Sequence, residues 1–393
     1  MAQAQPLDIV EADNELWREY DTLARRAYGH PVADIMLLGT HADRRVAVRG
    51  GKVIAGGLGM LIPQFFGGQP VPSASLACGC VAPEERGDRL AGRMVAERLR
   101  PLTEQGAVLA TLWTASTGYV RRLGWEAPAQ VYSWTVSTDE LKHSFSAADF
   151  ETTHGATAPA RLLRNDLATQ WNGTWQRPGW WEDWQHRQHP DLATYQFNRP
   201  GQEATGVLSV AGERHPVEGR QLGVYDFWAA DTQTASAMFA FLGRHNSRIS
   251  TVAFQRTGLP PAPLLLHHLH RSSSLTARSW HPWMLRVLDL SRAVQMRGWP
   301  DEADLTVPIE VVTENGEATE RFTLRIAGGK GELTPATREG QLTLTRGQFA
   351  AWYAGGYRGT AAAALAGVTG DPKALARLLL ATSDREPWLA DYF

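Results

Sequence analysis

Val81-Ala82-Pro83-Glu84-Glu85-Arg86-Gly87-Asp88-Arg89-Leu90-Ala91-Gly92 is the stretch of sequence that indicates the fold most directly. The residues just before it, 76–81, predict a β-strand, the stretch itself contains a turn with proline and glycine, and a helix follows. Backbone N–H groups at the start of such a helix are unpaired and can bind a phosphate, and Arg86 and Arg89 add positive charge there. An ordinary strand-to-helix connection with solvated arginines is the alternative interpretation.

A second motif lies further along the chain, at residues 114–126, which read TASTGYVRRLGWE. Small polar residues come first, Tyr119 follows on a short predicted helix (118–123), and Gly-Trp-Glu ends the stretch. A tyrosine hydroxyl at such a place can donate a proton to a leaving group, for example a thiolate. A half-buried tyrosine of the core is the alternative interpretation.

Length, composition and charge limit the classes of protein that this chain can represent. At about 100–200 residues per domain, 393 residues predict two to four domains. An apolar fraction of 43% with 20% charged residues is typical of globular proteins, and a net charge of −2 provides no basic field for nucleic acid or anionic lipid. The chain has no apolar run long enough to span a membrane and no signal-peptide pattern, so we expect a cytoplasmic protein.

Local sequence patterns divide the chain into three sections, residues 1–140, 141–283 and 284–393. The first section has the order helix, strands, helix, strand, short helix and strand, which is typical of an α/β layer with a central mixed sheet. The second section repeats weaker versions of the same elements. The third section changes to alternating strands and helices and ends at an aromatic residue, Phe393.

Several predicted elements have definite bounds. The strand 52–61 follows a two-residue glycine turn, and the strand 131–136 closes the first section. The helix 232–243 lies in the second section, the strand 284–288 opens the third, and the strand 305–312 follows it.

The cysteines and histidines give no metal or disulfide pattern. Cys78 and Cys80 lie on the same face of a strand, roughly 7 Å apart, which is too far for an unstrained disulfide. A Cys-x-Cys pair without further ligands is a poor zinc signal, so we interpret both cysteines as small buried side chains. On a helix, His267 and His270 share a face, but no carboxylate accompanies them, and we expect no metal.

The two motifs, in this order, resemble the GNAT acyltransferase superfamily, in which a strand precedes an Arg/Gln-x-x-Gly-x-Gly/Ala turn that binds the pyrophosphate of acetyl-CoA. The tyrosine before Gly-Trp-Glu matches the usual proton donor of that superfamily. The wider layout, which includes residues 280–287 and 374–379, resembles the enhanced intracellular survival (Eis) family of N-acetyltransferases. The resemblance implies an α/β fold with two tandem GNAT-like mixed-sheet domains (1–140 and 141–283) and a small α/β sterol-carrier-protein-like domain (284–393).

The resemblance also implies a role for individual residues. Tyr119 would be the general acid that protonates the sulfur of CoA, and the carboxylate of Phe393 would be the general base for the substrate amine. The residues that would bind acetyl-CoA are Gly79, Cys80, Val81, Arg86, Gly87, Asp88, Arg89, Leu90, Ala91, Ser116 and Thr117. The residues that would contact the acceptor are Tyr28, His30, Cys78, Trp113, Asp391 and Tyr392.

This sequence differs from the family pattern in the turn and in the acceptor pocket. The family has glycine where Arg89 stands, and a glycine lets the backbone approach the phosphates closely. The acceptor residues named above are more aromatic and less acidic than those of the family. Five tryptophans lie close together in sequence: Trp171, Trp175, Trp180, Trp181 and Trp184. Their rings could bind a planar or apolar ligand, or they could form packing contacts between domains or between subunits of an oligomer.

The sequence therefore predicts an acetyl-CoA-dependent N-acetyltransferase of a small-molecule amine, with no metal, no nucleic acid partner and no membrane partner. The resemblance implies a homo-oligomer, a hexamer. Two alternatives remain: a repurposed GNAT-fold enzyme of natural-product metabolism that no longer uses acetyl-CoA, and a protein that only binds small molecules.

Overall fold

The computed structural model describes residues 6–29, 35–87, 89–147, 149–155, 157–215, 219–261 and 268–393. The chain forms two compact units. The first unit consists of Met1–Pro128, Pro282–Arg385 and Phe393, and the second unit consists of Ala129–His281 and Glu386–Tyr392.

The strands of the described residues are, in chain order, β1 (Leu7–Glu11), β2 (Asp43–Arg49), β3 (Lys52–Leu61), β4 (Gln64–Phe66), β5 (Gln69–Val71), β6 (Ser73–Val81), β7 (Leu109–Trp113), β8 (Tyr132–Ser137), β9 (Glu151–His154), β10 (Ala193–Asn198), β11 (Ala204–His215), β12 (Gly219–Ala229), β13 (Thr251–Phe254), β14 (Leu275–Ser279), β15 (Trp283–Val287), β16 (Leu305–Val312), β17 (Thr319–Ala327), β18 (Lys330–Pro335), β19 (Leu342–Thr345) and β20 (Thr369–Gly370). The α-helices are α1 (Asn14–Tyr28), α2 (Ile35–Leu38), α3 (Leu90–Glu104), α4 (Thr117–Arg121), α5 (Thr138–Ser144), α6 (Ala158–Ala168), α7 (Trp180–Gln188), α8 (Thr232–Gly243), α9 (Leu290–Met296), α10 (Arg346–Tyr353), α11 (Thr360–Leu365) and α12 (Pro372–Leu380).

The first unit contains a mixed sheet in the order β1-β2-β3-β6-β7-β15, in which β6 and β7 are parallel and the other neighbours are antiparallel. Helix α1 begins at the Asp13 carboxylate, which accepts the N–H groups of Glu15 and Leu16, and ends at Gly29 with φ +75°. Helix α3 buries Leu90 and Met94 against β2 and β3. These two helices pack apolar side chains against the sheet.

Strand β15 was predicted to open the third section, but the structure places it in the first sheet. It pairs antiparallel with β7, with Trp283 opposite Trp113 and Met284 opposite Leu112. Met284 is fully buried in the core of the first unit. Strand pairing of this kind joins distant segments, so the apolar pattern of the strand alone does not identify its sheet.

The second unit contains a sheet in the order β14-β8-β13-β12-β11-β10-β9, in which β12 and β13 are parallel and are joined by α8. Strand β8 was predicted to close the first section, and this assignment is wrong. It pairs with β13 on one side and β14 on the other, and its Val136 is buried in the core of the second unit.

The third sheet, β18-β17-β16-β19-β20, belongs to the first unit. The hairpin β4–β5 contacts the same part of the chain, because Phe66 packs against Tyr353 and its carbonyl accepts the N–H of Gly298. Gly67 and Gly298 lie so close together that a Cβ added to Gly298 would be 2.2 Å from the Gly67 carbonyl oxygen. The predicted third section is thus packed directly on the first.

The close approach of Gly67 and Gly298 leads to a prediction about the stability of the protein. We expect Gly298→Ala to destabilise the protein by about 1–3 kcal/mol, because the backbone must move to admit the methyl group. Urea denaturation measures the change. Gly92→Ala is the control, since a Cβ there meets only Leu123 at 3.7 Å, and it should stabilise α3 by about 0.5–1 kcal/mol. Equal denaturation midpoints for Gly298→Ala and the natural protein would contradict this account.

Candidate functional site

Strand β6 contains a β-bulge opposite Gly57 of β3. Gly56 pairs with Cys80 and Leu58 pairs with Ala77, so that the two residues Cys78 and Gly79 oppose a single residue on β3. Cys78 has φ +51°, in the left-handed region that residues with a side chain rarely adopt. Such a bulge bends its strand and increases the local twist.

The bulge lies where β6 separates from its other neighbour, β7. The parallel ladder between the two strands runs from Ser73 to Leu76 of β6, and β6 then continues to Val81 without further pairing to β7. Strand β7 ends at Trp113, and α4 begins soon afterwards with Tyr119 in its middle. The last residues of β6 therefore have no strand partner on the side of β7.

Two tyrosines of α1 form hydrogen bonds with backbone groups of the bulged segment. The Tyr20 hydroxyl donates to the Cys78 carbonyl and accepts the Cys80 N–H at 3.1 Å, and it lies 3.3 Å from Cys80 Sγ. The Tyr28 hydroxyl donates to the Gly79 carbonyl at 2.9 Å. Tyr20 is fully buried, and this burial raises its pKa well above the usual value, so the hydroxyl keeps its proton.

A buried arginine of α3, Arg98, lies against the same bulge. Its guanidinium donates to the Leu58 carbonyl through Nε at 3.2 Å and to the Ala77 carbonyl through Nη2 at 2.6 Å. The side chain occupies the space that side chains at Gly57 and Gly79 would need, since Cβ atoms there would lie 2.6 and 2.5 Å from it. In the described part of the chain no carboxylate pairs with Arg98, so the bulge contains a buried, uncompensated positive charge.

Tyr119 is half-buried and packs against the core of the first unit. Burial raises the pKa of the Tyr119 hydroxyl, and the positive charge of Arg98 opposes that effect. The hydroxyl is consequently protonated at neutral pH and can act as a proton donor.

The turn between β6 and α3 has the geometry of an anion site. Gly87 has φ +117°, and Arg89, the residue before α3, has φ +55° and ψ 16°, and its own side chain does not cap the helix. Because the turn ends in an uncapped helix, N–H groups of its first turn are available. Two acids in the described part of the turn form ion pairs, Glu84 with Arg26 and Glu85 with Arg49.

The other predicted acetyl-CoA residues are distributed around this site. Leu90 is buried, so only its backbone can contact a ligand. The Ser116 N–H donates to Thr114 Oγ1, and Thr117 Oγ1 accepts from Arg121, whose guanidinium also pairs with Glu126. Asp88 of the turn and His30 of the acceptor set lie outside the described residues.

The predicted acceptor residues have different surroundings. Tyr28 is 40% exposed, and Trp113 is half-buried at the end of β7. Both cysteines are free thiols, and burial raises the pKa of Cys78 to about 12, so that it stays protonated. Phe393 belongs to the first unit, as Tyr119 does.

The remaining acceptor residues, Asp391 and Tyr392, belong to the second unit. Asp391 is buried there in an ion pair with Arg177. The Arg256 guanidinium lies 3.6 Å from the centre of the Tyr392 ring.

Sequence reasoning missed Tyr20, Arg98 and Arg177. One signal for Arg98 was present, because it lies four residues from both Met94 and Leu102 on the apolar face of α3. A charge on such a face indicates a specific buried partner. Nothing in the sequence pattern distinguishes Tyr20 or Arg177 from other residues of their segments.

The hydroxyl of Tyr20 gives a prediction about the bulge. We expect Tyr20→Phe to destabilise the protein by about 1–3 kcal/mol, because it leaves the buried Cys78 carbonyl and Cys80 N–H without this partner. Tyr28→Phe is the matched control and should cost less than about 1 kcal/mol, since water reaches its exposed site. Thermal denaturation of both variants tests the difference, and an equal loss would contradict it.

The left-handed conformation of Arg89 gives a second prediction. We expect Arg89→Gly to stabilise the protein by about 1 kcal/mol, because glycine adopts this conformation without a steric cost. Arg86→Gly is the control, since Arg86 is extended with φ −77°, and glycine there should only add freedom to the unfolded chain. A lower unfolding midpoint for Arg89→Gly than for the natural protein would refute the prediction.

Neither a metal cluster nor a membrane-spanning helix occurs in the described residues. Over the described ranges, no cluster of three or more His, Cys, Asp and Glu residues could hold a metal ion. In the same part of the chain, no helix is long and apolar enough to cross a membrane.

Parts of the chain match the models of known protein families. Residues 8–127 and 173–287 match two models of the acetyltransferase (GNAT) domain, and residues 290–390 match the sterol carrier protein domain. An uncharacterized N-acetyltransferase from Streptomyces avermitilis is 27% identical over 357 residues, which cover 83% of this chain and 82% of the relative.

Solved structures share the fold. A GCN5-related N-acetyltransferase from Anabaena variabilis is 23% identical, with a TM-score of 0.86 over 99% of this chain and 100% of its own. Eis1 from Mycobacterium abscessus is 17% identical, with a TM-score of 0.74 over 99% of this chain and 100% of its own. The predicted α/β fold class is confirmed: the chain consists of two GNAT acetyltransferase domains followed by a sterol carrier protein domain, and it is an acyltransferase.

Proposed function

We propose that this protein is an acetyl-CoA-dependent N-acetyltransferase that acts on the amine of a small molecule. The observation that carries the proposal is strand β6, whose ladder with β7 stops at Leu76 while the strand continues to Val81. GNAT domains in general use acetyl-CoA. An open strand edge of this kind suits the amide groups of a pantetheine arm.

The chain has groups that fit acetyl-CoA along this edge. Gly79, Cys80 and Val81 would lie beside the pantetheine arm, and the turn 86–91 would hold the diphosphate through backbone N–H groups. The uncapped start of α3 and the positive charges of Arg86 and Arg89 support this placement. Ser116 and Thr117 would lie beside the arm at the start of α4.

The reaction that we propose is a direct transfer. The amine nitrogen forms a bond to the acetyl carbon, and the carbon–sulfur bond breaks. The carboxylate of Phe393 accepts the proton of the amine, and Tyr119 donates a proton to the departing sulfur. Burial raises the pKa of the Tyr119 hydroxyl and the charge of Arg98 only opposes that rise, so the hydroxyl holds its proton until it is given to the sulfur.

The acceptor side has little free negative charge. Tyr28, Cys78 and Trp113 would contribute an aromatic and weakly polar surface on the first unit, and none of them is anionic at neutral pH. We therefore propose an acceptor with a single amine on an aromatic or apolar framework.

Membership of the Eis family, a hexameric assembly and a cytoplasmic location also belong to the proposal. The fold that this chain shares with Eis1 supports the membership of that family.

Two variants test the proposed chemistry. We expect Tyr119→Phe and deletion of Phe393 each to lower kcat by about 10²–10⁴-fold, because each removes one proton transfer. Because the pKa of Tyr119 is raised above 10, its deprotonation should not lower the activity below about pH 10. Steady-state acetylation with a panel of arylalkyl and alkyl amines, followed by thiol release, measures the effect.

Binding of acetyl-CoA provides the control for both variants. The natural protein and both variants should gain about 2.7 kcal/mol of stability at a ligand concentration of 100 times Kd. Tyr132→Phe, which changes an exposed tyrosine of the second unit, should keep full activity. Absence of any thermal shift with acetyl-CoA in the natural protein would overturn the proposal and favour a repurposed or binding-only protein.

A further inference from the structure

The bulge between β3 and β6 contains a charged donor that the backbone does not use completely. Arg98 of α3 donates through Nε and Nη2 to the carbonyls of Leu58 and Ala77. Within the described residues its third nitrogen, Nη1, makes no hydrogen bond, and no carboxylate pairs with the guanidinium. Arg98 is only 5% exposed, so a buried guanidinium keeps an unused donor nitrogen.

The position of Nη1 follows from the two glycines beside it. A Cβ atom on Gly79 would lie 2.5 Å from Nη1, and a Cβ atom on Gly57 would lie 2.8 Å from it. Gly79 belongs to the end of β6 that has no strand partner on the side of β7. The proposed function places the pantetheine arm of acetyl-CoA along this end. The charge of Arg98 therefore lies beside the stretch of backbone that would carry the thioester.

The groups around Arg98 leave its charge uncancelled. Among the described residues, the titratable side chains that interact with it come from three elements: Tyr20 and Tyr28 of α1, Cys78 and Cys80 of β6, and Tyr119 of α4. All of them are neutral at neutral pH, and burial raises the pKa of the Cys78 thiol to about 12. Burying a charge without a counter-charge costs free energy that an apolar side chain would not cost. A charge that is held at such a cost is typical of functional sites.

We propose that the positive charge of Arg98 stabilises the negative charge that develops on the acetyl oxygen and on the sulfur during acetyl transfer. This inference deepens the proposed function and rests on it. As the amine nitrogen bonds to the acetyl carbon, an electron pair of the C=O bond moves to the oxygen. That pair returns when the carbon–sulfur bond breaks and leaves its own pair on the sulfur. The thioester is neutral before the reaction, so the charge favours the transition state more than the bound substrate.

Two substitutions separate the charge of Arg98 from its hydrogen bonds. Arg98 acts through space and through the bulge that its hydrogen bonds support, which makes it a positioning residue. Arg98→Lys keeps a positive charge and N–H donors, whereas Arg98→Gln keeps N–H donors and removes the charge. Arg100→Gln is the matched control, because Arg100 lies on the same helix with a side chain that is 54% exposed. The full-length proteins are compared for kcat, KM of acetyl-CoA and melting temperature.

A second measurement needs no acceptor amine. Desulfo-CoA lacks the sulfur of CoA, so the ratio of the two affinities isolates the contribution of the sulfur. A positive charge beside the bound sulfur favours the thiolate and lowers the pKa of the thiol below that of free CoA. The affinity for CoA then rises relative to that for desulfo-CoA as the pH increases from about 7 to about 9. Isothermal titration calorimetry measures both dissociation constants.

The charge of Arg98 predicts a specific set of results. Arg98→Gln should lower kcat by about 10²-fold, Arg98→Lys should stay within about tenfold of the natural protein, and neither should change the KM of acetyl-CoA. Both should lower the melting temperature by a similar amount, because both lose hydrogen bonds to buried carbonyls of the bulge. The rise of the affinity ratio with pH should persist in Arg98→Lys and Arg100→Gln and disappear in Arg98→Gln.

Other outcomes overturn the inference or the proposed function separately. If Arg98→Gln and Arg98→Lys lose kcat equally and share one affinity ratio at every pH, Arg98 is merely structural; the inference is then wrong and the proposed function stands. If the natural protein binds neither acetyl-CoA nor CoA, the proposed function fails and the inference fails with it. If the affinity ratio depends on Arg98 but no amine is acetylated, the role of the charge stands and the proposed acceptor is wrong.

The natural protein provides the test if neither variant of Arg98 folds. An affinity ratio that rises with pH then supports the inference, because the bound thiol has a lower pKa than the free thiol. A ratio that stays constant or falls with pH refutes it.

Discussion

The hydrogen bonds of Arg98 to the carbonyls of Leu58 and Ala77 are the constraint on which the site depends. A regular ladder between β3 and β6 would pair these carbonyls with backbone amides. The bulge removes that pairing, and the guanidinium supplies the donors that the buried carbonyls require. Gly57 and Gly79 are needed because any side chain at either position would occupy the same space as Arg98. Arg98 thus fills the space that the bulge leaves between β3 and β6.

Elements that depend on local pattern could be predicted from the sequence. The strand β3, the helix α8 and the strand β16 have the predicted bounds, because a glycine turn, an Asp231 cap and strict alternation mark them. The sheet to which a strand belongs could not be predicted from its local pattern. β8 and β15 have the same alternation in any sheet, and their partners lie more than a hundred residues away in sequence. Only the packing of the complete core selects between such partners.

Motifs could suggest candidate site residues, but they could not show how the backbone around these residues is supported. Tyr119 and the turn around Arg86 were predicted from motifs of residue type and spacing, and their roles remain part of the proposal. Tyr20 could not be found in this way, because its hydroxyl acts on backbone groups of Cys78 and Cys80, which any residue provides. The conformation of Arg89 was equally hidden, since the sequence shows a residue with a side chain where the backbone is left-handed. Backbone conformation is determined by the turn as a whole, and the residue type is only one influence on it.

The two buried arginines show how similar groups can have opposite electrostatic effects. Arg177 faces two carboxylates, so its charge is more than neutralised within the second unit. Among the described residues, Arg98 faces backbone carbonyls and the neutral groups of Tyr20, Tyr119, Tyr28 and Cys78, so no carboxylate there cancels its positive field. A positive field in a dry place favours negative charge nearby, and negative charge develops on the sulfur that departs in the reaction proposed above. Arg98 therefore both satisfies backbone carbonyls of the bulge and places a positive charge beside it.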